Sequence, residues 1–190
     1  RMSIVHFWTF WNQGGTMQKF QAEQASKVRA HGAIPMISWP SEKMGGGKSQ
    51  PDFRLSEIIN GRYDSYIRQW ATDAKNWGQP FFLRYGHEMN GPFYAWGEDA
   101  NGNKRGEFVK AWRHIRDIFT QVGATNASWV WCPNVDFPGS PWPTVESLYP
   151  GDGYVDWTCM DGYNWGEGTY NGWQTFEQVY SHTYNNILKV

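Results

Sequence analysis

The chain concentrates its chemistry in the run Phe81-Phe82-Leu83-Arg84-Tyr85-Gly86-His87-Glu88-Met89-Asn90-Gly91. An apolar stretch ends by delivering Arg84, His87, Glu88 and Asn90 together, a cluster that is costly to desolvate unless its members pair. Phe93, Tyr94 and Trp96 follow directly, so a carboxyl group lies beside flat aromatic faces. That combination suits glycoside hydrolysis. A carboxylic acid protonates the leaving oxygen, and the rings stack on the axial C–H patches of sugars. The competing reading is structural, an Arg84–Glu88 ion pair at a strand end; the aromatic neighbours favour chemistry.

Other motifs fail on spacing. His87-Glu88 lacks the second His that a zinc-protease helix carries four residues after the first, since position 91 is Gly. Gly45-Gly46-Gly47-Lys48-Ser49 resembles a phosphate loop, but Glu42 stands where its first Gly is required and Pro51 follows, so a flexible rim loop is expected. Asp99-Ala100-Asn101-Gly102-Asn103 begins like a calcium loop, yet Lys104 occupies the position of the turn glycine. Neither a metal nor a cofactor is expected.

The elements that must position these residues alternate between strand and helix. Residues 4–10 read as a strand, and Thr16 as the cap of a helix running to about His31, with Gly32 as its stop. Residues 33–39 are continuously apolar, as buried parallel strands are. Tyr63, Ile67, Trp70, Ala71, Ala74 and Trp77 share one helical face before Gly78. Phe81–Tyr85 is the third strand; Phe108, Trp112, Ile115, Phe119 and Val122 mark a helix closed by Gly123. Residues 127–132 and 154–161 are the fourth and fifth strands. A last helix opens with the capping box Thr175-Phe176-Glu177-Gln178 and carries Phe176, Tyr180, Tyr184, Ile187 and Leu188.

About five βα units in one domain, residues 1–190, imply a parallel sheet with right-handed crossovers, either an open doubly wound sheet or part of an eight-unit barrel. Trp8, Trp11, Trp39, Arg84, His87, Glu88, Asn134, Asp161 and Tyr163 fall at or just past strand ends, which is where barrel enzymes build their sites. A (β/α)8 TIM barrel is therefore expected, incomplete in this chain because a whole one needs about 250 residues.

Composition agrees. Net charge is −1 with 17 basic residues scattered, which gives no footprint for nucleic acid or an anionic membrane surface. No apolar run is long enough to span a bilayer. Aromatic residues make up 18 %, with 13 Trp, at a mean hydropathy of −0.67. So many rings in a polar chain suggest that some line a cleft. Cys132 and Cys159 lack zinc-site spacing. Buried thiols acting as small apolar fillers are expected, with a disulfide between them as the alternative.

The run from Arg84 to Gly91, with Tyr94 and Trp96, resembles the acid/base motif of glycoside hydrolase family 26, which comprises β-mannanases with some β-1,3-1,4-glucanases (lichenases) and β-1,3-xylanases. Similar matches extend over nearly the whole chain. They include Gly32-Ala33-Ile34-Pro35-Met36-Ile37-Ser38-Trp39, Gly61-Arg62-Tyr63-Asp64-Ser65-Tyr66-Ile67, Trp129-Val130-Trp131-Cys132-Pro133-Asn134, and Val155-Asp156-Trp157 leading to Asp161-Gly162-Tyr163-Asn164-Trp165. The resemblance implies barrel strands two to six and a retaining mechanism with Glu88 as acid/base. It implies that His87 orients groups at the cleaved bond, that Tyr163 bonds the nucleophile, and that Arg84 lies beneath the site. Asp161 would contact sugar hydroxyls; Phe93, Tyr94, Trp96 and Trp165 would be platforms; Asn90, Trp39 and Asn134 join the substrate-binding set. The family's nucleophile, a Glu ending strand seven, has no counterpart here and is expected beyond residue 190. Phe93 departs from the Trp common at its position. The resemblance implies a secreted, monomeric endo-β-glycanase acting on a β-linked polysaccharide, with β-1,4-mannan ahead of mixed-linkage glucan and xylan. A carbohydrate-binding remnant without chemistry and a structural fragment with open sheet edges are the rival readings.

Overall fold

The computed structural model describes residues 2–168 and 172–190. Five strands form one parallel sheet in strictly sequential order: β1 (Ile4–Trp8), β4 (Ile34–Trp39), β5 (Phe81–Tyr85), β6 (Ala127–Trp131) and β7 (Trp157–Thr158). A doubly wound sheet reverses its strand order at a switch point. This order has no reversal, so the sheet is an arc of a (β/α)8 barrel. Four of the helices are α1 (Ala22–Ala30), α2 (Leu55–Ile59), α3 (Asp64–Trp77) and α4 (Glu107–Val122). α3 and α4 each end on a glycine in the left-handed region, Gly78 (φ 76°) and Gly123 (φ 75°), as the sequence predicts.

Strand parity divides the arc into two faces, because successive side chains point to opposite sides. Phe81, Leu83 and Tyr85 of β5 join Ile37 and Trp39 of β4 against the helices. Trp39 stacks on Trp70 with ring centroids 4.5 Å apart, and Phe119 meets Trp129 at 5.0 Å. The opposite face carries a polar layer. His6 Nε2 lies 2.8 Å from Ser38 Oγ, Arg84 Nε donates to the same hydroxyl at 2.8 Å, and Arg84 Nη1 reaches Asp161 Oδ2 at 2.6 Å.

Four expectations need correction. Thr16 does not cap a helix. Asn12–Gln13 (β2) pairs antiparallel with Thr16–Met17 (β3), and the hairpin closes on Gly14 and Gly15, both at positive φ as a tight two-residue loop requires. The fifth strand is confined to Trp157–Thr158, with one further bridge between Asn134 and Asp161. Cys132 and Cys159 are joined by a disulfide. The β6–β7 ladder sets Cys159 beside Cys132, the Cys159 amide donating to Trp131 O at 2.9 Å, so parallel pairing brings the thiols together.

The last correction concerns α5 (Phe176–Ile187). Its capping box forms as expected, but the helix buries Val179, Thr183 and Ile187 and leaves Phe176, Tyr184 and Leu188 exposed. Thr183 exchanges hydrogen bonds with Asp136, through the Asp136 amide at 2.8 Å and carboxylate at 2.7 Å, and this turns the Thr183 face inward.

Candidate active site

Glu88 stands at the C-terminal rim of β5 in a strained backbone conformation, φ 52°, uncommon for a residue with a side chain. Its amide donates to Cys132 O at 2.7 Å, which ties the rim of β5 to that of β6. Gly86, two residues earlier, also has positive φ, and a Cβ there would lie 2.9 Å from the Phe108 ring. The sharp turn after β5 therefore needs Gly86, and it projects His87 and Glu88 over the barrel mouth. Burial pushes the Glu88 carboxyl above its ordinary range. A hydrogen bond from the Asn134 side chain opposes that shift, the negative charge of Asp161 adds to it, and Arg84 pulls it back. The Arg84–Glu88 ion pair is not the arrangement found: Arg84 bridges to Asp161. Glu88 is thus left as a carboxyl biased toward its protonated form.

His87 is 2 % exposed, and neither ring nitrogen has a hydrogen-bond partner among the described residues. Trp8 and Tyr94 pack against it at 4.7 Å and Trp96 at 5.0 Å. Burial, then the charge of Arg84, then His6, push its pKa down to about 3, so the imidazole is neutral. A neutral ring with one donor and one acceptor unused is suited to a sugar hydroxyl or the glycosidic oxygen.

Three cavities run together along this rim. The central one, about 400 Å³, is lined by Glu88, Asp161, Arg84, His87, Tyr94 and Tyr163. On one side it continues, across Trp8, His87 and Tyr94, into a cavity of about 420 Å³ that also holds Phe10 and Glu42. On the other, across Tyr163, it meets one of about 260 Å³ lined by Phe93, Asn134, Trp142 and Trp165. Phe93, Tyr163 and Trp165 are exposed there, as platforms must be.

Three expected substrate contacts are placed differently. Trp39 lies on the helix-facing side of β4 and is fully buried, its Nε1 donating to Tyr66 Oη at 3.2 Å; parity takes it away from the cleft. Asn90 is also fully buried and spends its amide on the backbone of Asn134, donating to its carbonyl at 2.9 Å and accepting from its N–H at 2.8 Å. It clamps the β5 and β6 rims and thereby sets Asn134 against Glu88. Trp96 is no free platform. It stacks behind Tyr94 at 4.5 Å and donates to His87 O at 2.7 Å, so it supports the two groups that face the cavity. Phe10, Glu42 and Trp142 join the site without having been singled out as contacts. For Trp8 the alternation of His6 and Trp8 along β1 is the signal, since both share the parity of Ser38 and Arg84 through the strand register.

A sequence model for glycosyl hydrolase family 26 matches residues 5–188. The chain belongs to glycosyl hydrolase family 26. Over its whole length it is 36 % identical to Endoglucanase H of Acetivibrio thermocellus, covering 20 % of that protein. It is 32 % identical, over 82 % of its length, to a mannan endo-1,4-beta-mannosidase of Bacillus subtilis, covering 42 % of it. Among solved structures, GH26A from Muricauda sp. MAR_2010_75 superposes with a TM-score of 0.61 at 23 % identity, over 84 % of this chain and 58 % of that one. The chain thus spans about a fifth to three-fifths of these relatives, in keeping with an incomplete barrel.

Proposed function

We propose that this chain supplies the proton-donating half of a retaining endo-β-glycanase centre. The observation that carries the proposal is the place of Glu88: a carboxyl group lifted by burial, midway along a cleft whose cavities continue on both sides of it. In the first step the Glu88 carboxylic acid protonates the glycosidic oxygen while a second carboxylate attacks the anomeric carbon. In the second step the Glu88 carboxylate takes a proton from water, which displaces the enzyme from the sugar. Retention needs the two carboxyl groups about 5–5.5 Å apart. Asp161 is engaged by Arg84. The nucleophile is therefore assigned to a Glu outside the 190 residues, as the family resemblance implies. His87 positions the scissile region, Asp161 and Tyr163 flank the sugar at the cleaved bond, and Phe93 and Trp165 hold neighbouring units.

A β-1,4- or mixed-linkage glucan is the substrate we assign first, because the 36 % match to an endoglucanase covers the entire chain. This reverses the order that the family resemblance implies. β-1,4-Mannan is the second reading, favoured by the mannosidase relative. We assign the protein to the outside of the cell, where such polysaccharides are met. The test uses the protein with its barrel complete, assayed on mixed-linkage glucan, mannan and xylan, with the anomeric configuration of fresh products followed by NMR. Mixed oligosaccharides of retained configuration are expected. Inverted products, or release of a single small product, would overturn the proposal.

A further inference from the structure

The geometry points to a second sugar subsite, the cavity between Trp8, Phe10 and Tyr94, with Glu42 as its specificity-determining residue through hydrogen bonds to ring hydroxyls. This rests on the glycanase reading above and deepens it. The cavity adjoins the one at Glu88, sharing Trp8, His87 and Tyr94 with it, so a chain bound at the cleaved bond meets it next. Trp8 and Phe10 lie nearly parallel, 19° apart with centroids at 5.9 Å. Tyr94, stacked on Trp96 within 6°, lines the same cavity. Flat aromatic faces hold a sugar ring by its C–H patches and leave its hydroxyls to polar groups lining the cavity.

The lining also holds an otherwise unexplained carboxyl group. Glu42 is 9 % exposed, and its side chain is in no ion pair among the described residues. Its one hydrogen bond there is from Gln50 Nε2 to Oε2, a long 3.3 Å. That amide makes a shorter bond, 2.6 Å, to Gly47 O. A buried carboxyl with a single long hydrogen bond costs folding free energy. Its backbone is nonetheless fixed: Asn12 N–H donates to Glu42 O at 3.0 Å and Met44 N–H to Asn12 O at 2.8 Å, which lace the loop to the β2–β3 hairpin. The group is therefore held in place facing the cavity. Burial lifts it to about pH 7, so near neutrality it both donates and accepts, which matches the two-way hydrogen bonding of a hydroxyl.

The experiment compares the barrel-complete enzyme with Glu42→Ala and Glu42→Gln on two substrates. One is a 2,4-dinitrophenyl β-monoglycoside, which spans the cleaved bond alone; the other is a β-glucan hexasaccharide. Glu42→Ala is expected to lower kcat/KM for the hexasaccharide about 10- to 100-fold, mostly through KM. Glu42→Gln should recover part of that loss, and the monoglycoside should lose much less than the hexasaccharide with both variants. Neither variant should lower Tm near pH 7, where the contribution of the buried carboxyl group is being lost. Equal losses on both substrates, a fall in Tm with the activity loss, or no change on the hexasaccharide would overturn the assignment. Calorimetric binding of the hexasaccharide in a Glu88→Ala background separates the two readings. Binding without turnover in the parent would sink the glycanase reading alone, whereas equal Kd with and without Glu42→Ala would sink this one alone.

Discussion

The two faces of the sheet use the same residue types for opposite ends. On the helix-facing side Trp39, Trp70, Trp112 and Trp129 are fully buried and pack ring on ring. On the rim Trp8, Phe93 and Trp165 are 44, 45 and 67 % exposed around a polar layer that contains Arg84 and Glu88. A tryptophan on one side contributes packing and area removed from water; on the other it keeps a face free for a ligand. What assigns each ring is strand parity and loop position, not residue type. Trp8 and Trp39 both end strands, yet one lines the cleft and the other the core.

The sharpest way to break this contrast is to truncate one ring of each kind. Trp129→Ala should cost about 3–5 kcal/mol of stability, whereas Trp165→Ala should stay within about 0.5 kcal/mol, as read from urea unfolding of the barrel-complete protein. Similar costs for both would mean that the rim rings are structural. The disulfide comes next. It closes a loop with a sequence separation of 27, for which chain-entropy arguments give about 3.5 kcal/mol. Reduction should lower the unfolding midpoint by a matching amount, and an unchanged midpoint would show that Cys132 and Cys159 act as fillers.

A smaller effect distinguishes the buried carboxyl groups of the rim. Because the folded state raises Glu42 from 4.5 to about 7, its contribution is full below the unfolded pKa and is lost as pH climbs through 7. Glu42→Gln should flatten the decline in stability between those pH values. An unaltered slope would place the titration on another group.

Much of the core was legible, and the reasons are local. α3 and α4 announce themselves by helical periodicity closed by Gly78 and Gly123, and β5 by the apolar run Phe81-Phe82-Leu83 that opens it. The rim chemistry at Arg84, His87 and Glu88 was visible because polar residues there interrupt that run. What escaped depends on neighbours distant in sequence. The hairpin at Gly14-Gly15 was lost under a helix cap that Thr16 never makes. The disulfide required knowing that β6 and β7 are adjacent. Trp39 and Asn90 share residue types with true contacts, and only register and a partner 44 residues away in Asn134 reveal their structural use. Glu42 carried no motif of its own.

The central claim is that Glu88 is the general acid/base, and the most direct measurement is the kinetics of Glu88→Ala in the barrel-complete enzyme. On polysaccharide, whose leaving group needs a proton, turnover should fall about 10²- to 10⁴-fold. An aryl glycoside with an activated leaving group should keep most of its first-step rate. Equal loss on both substrates would contradict the account and remove Glu88 from the acid/base role.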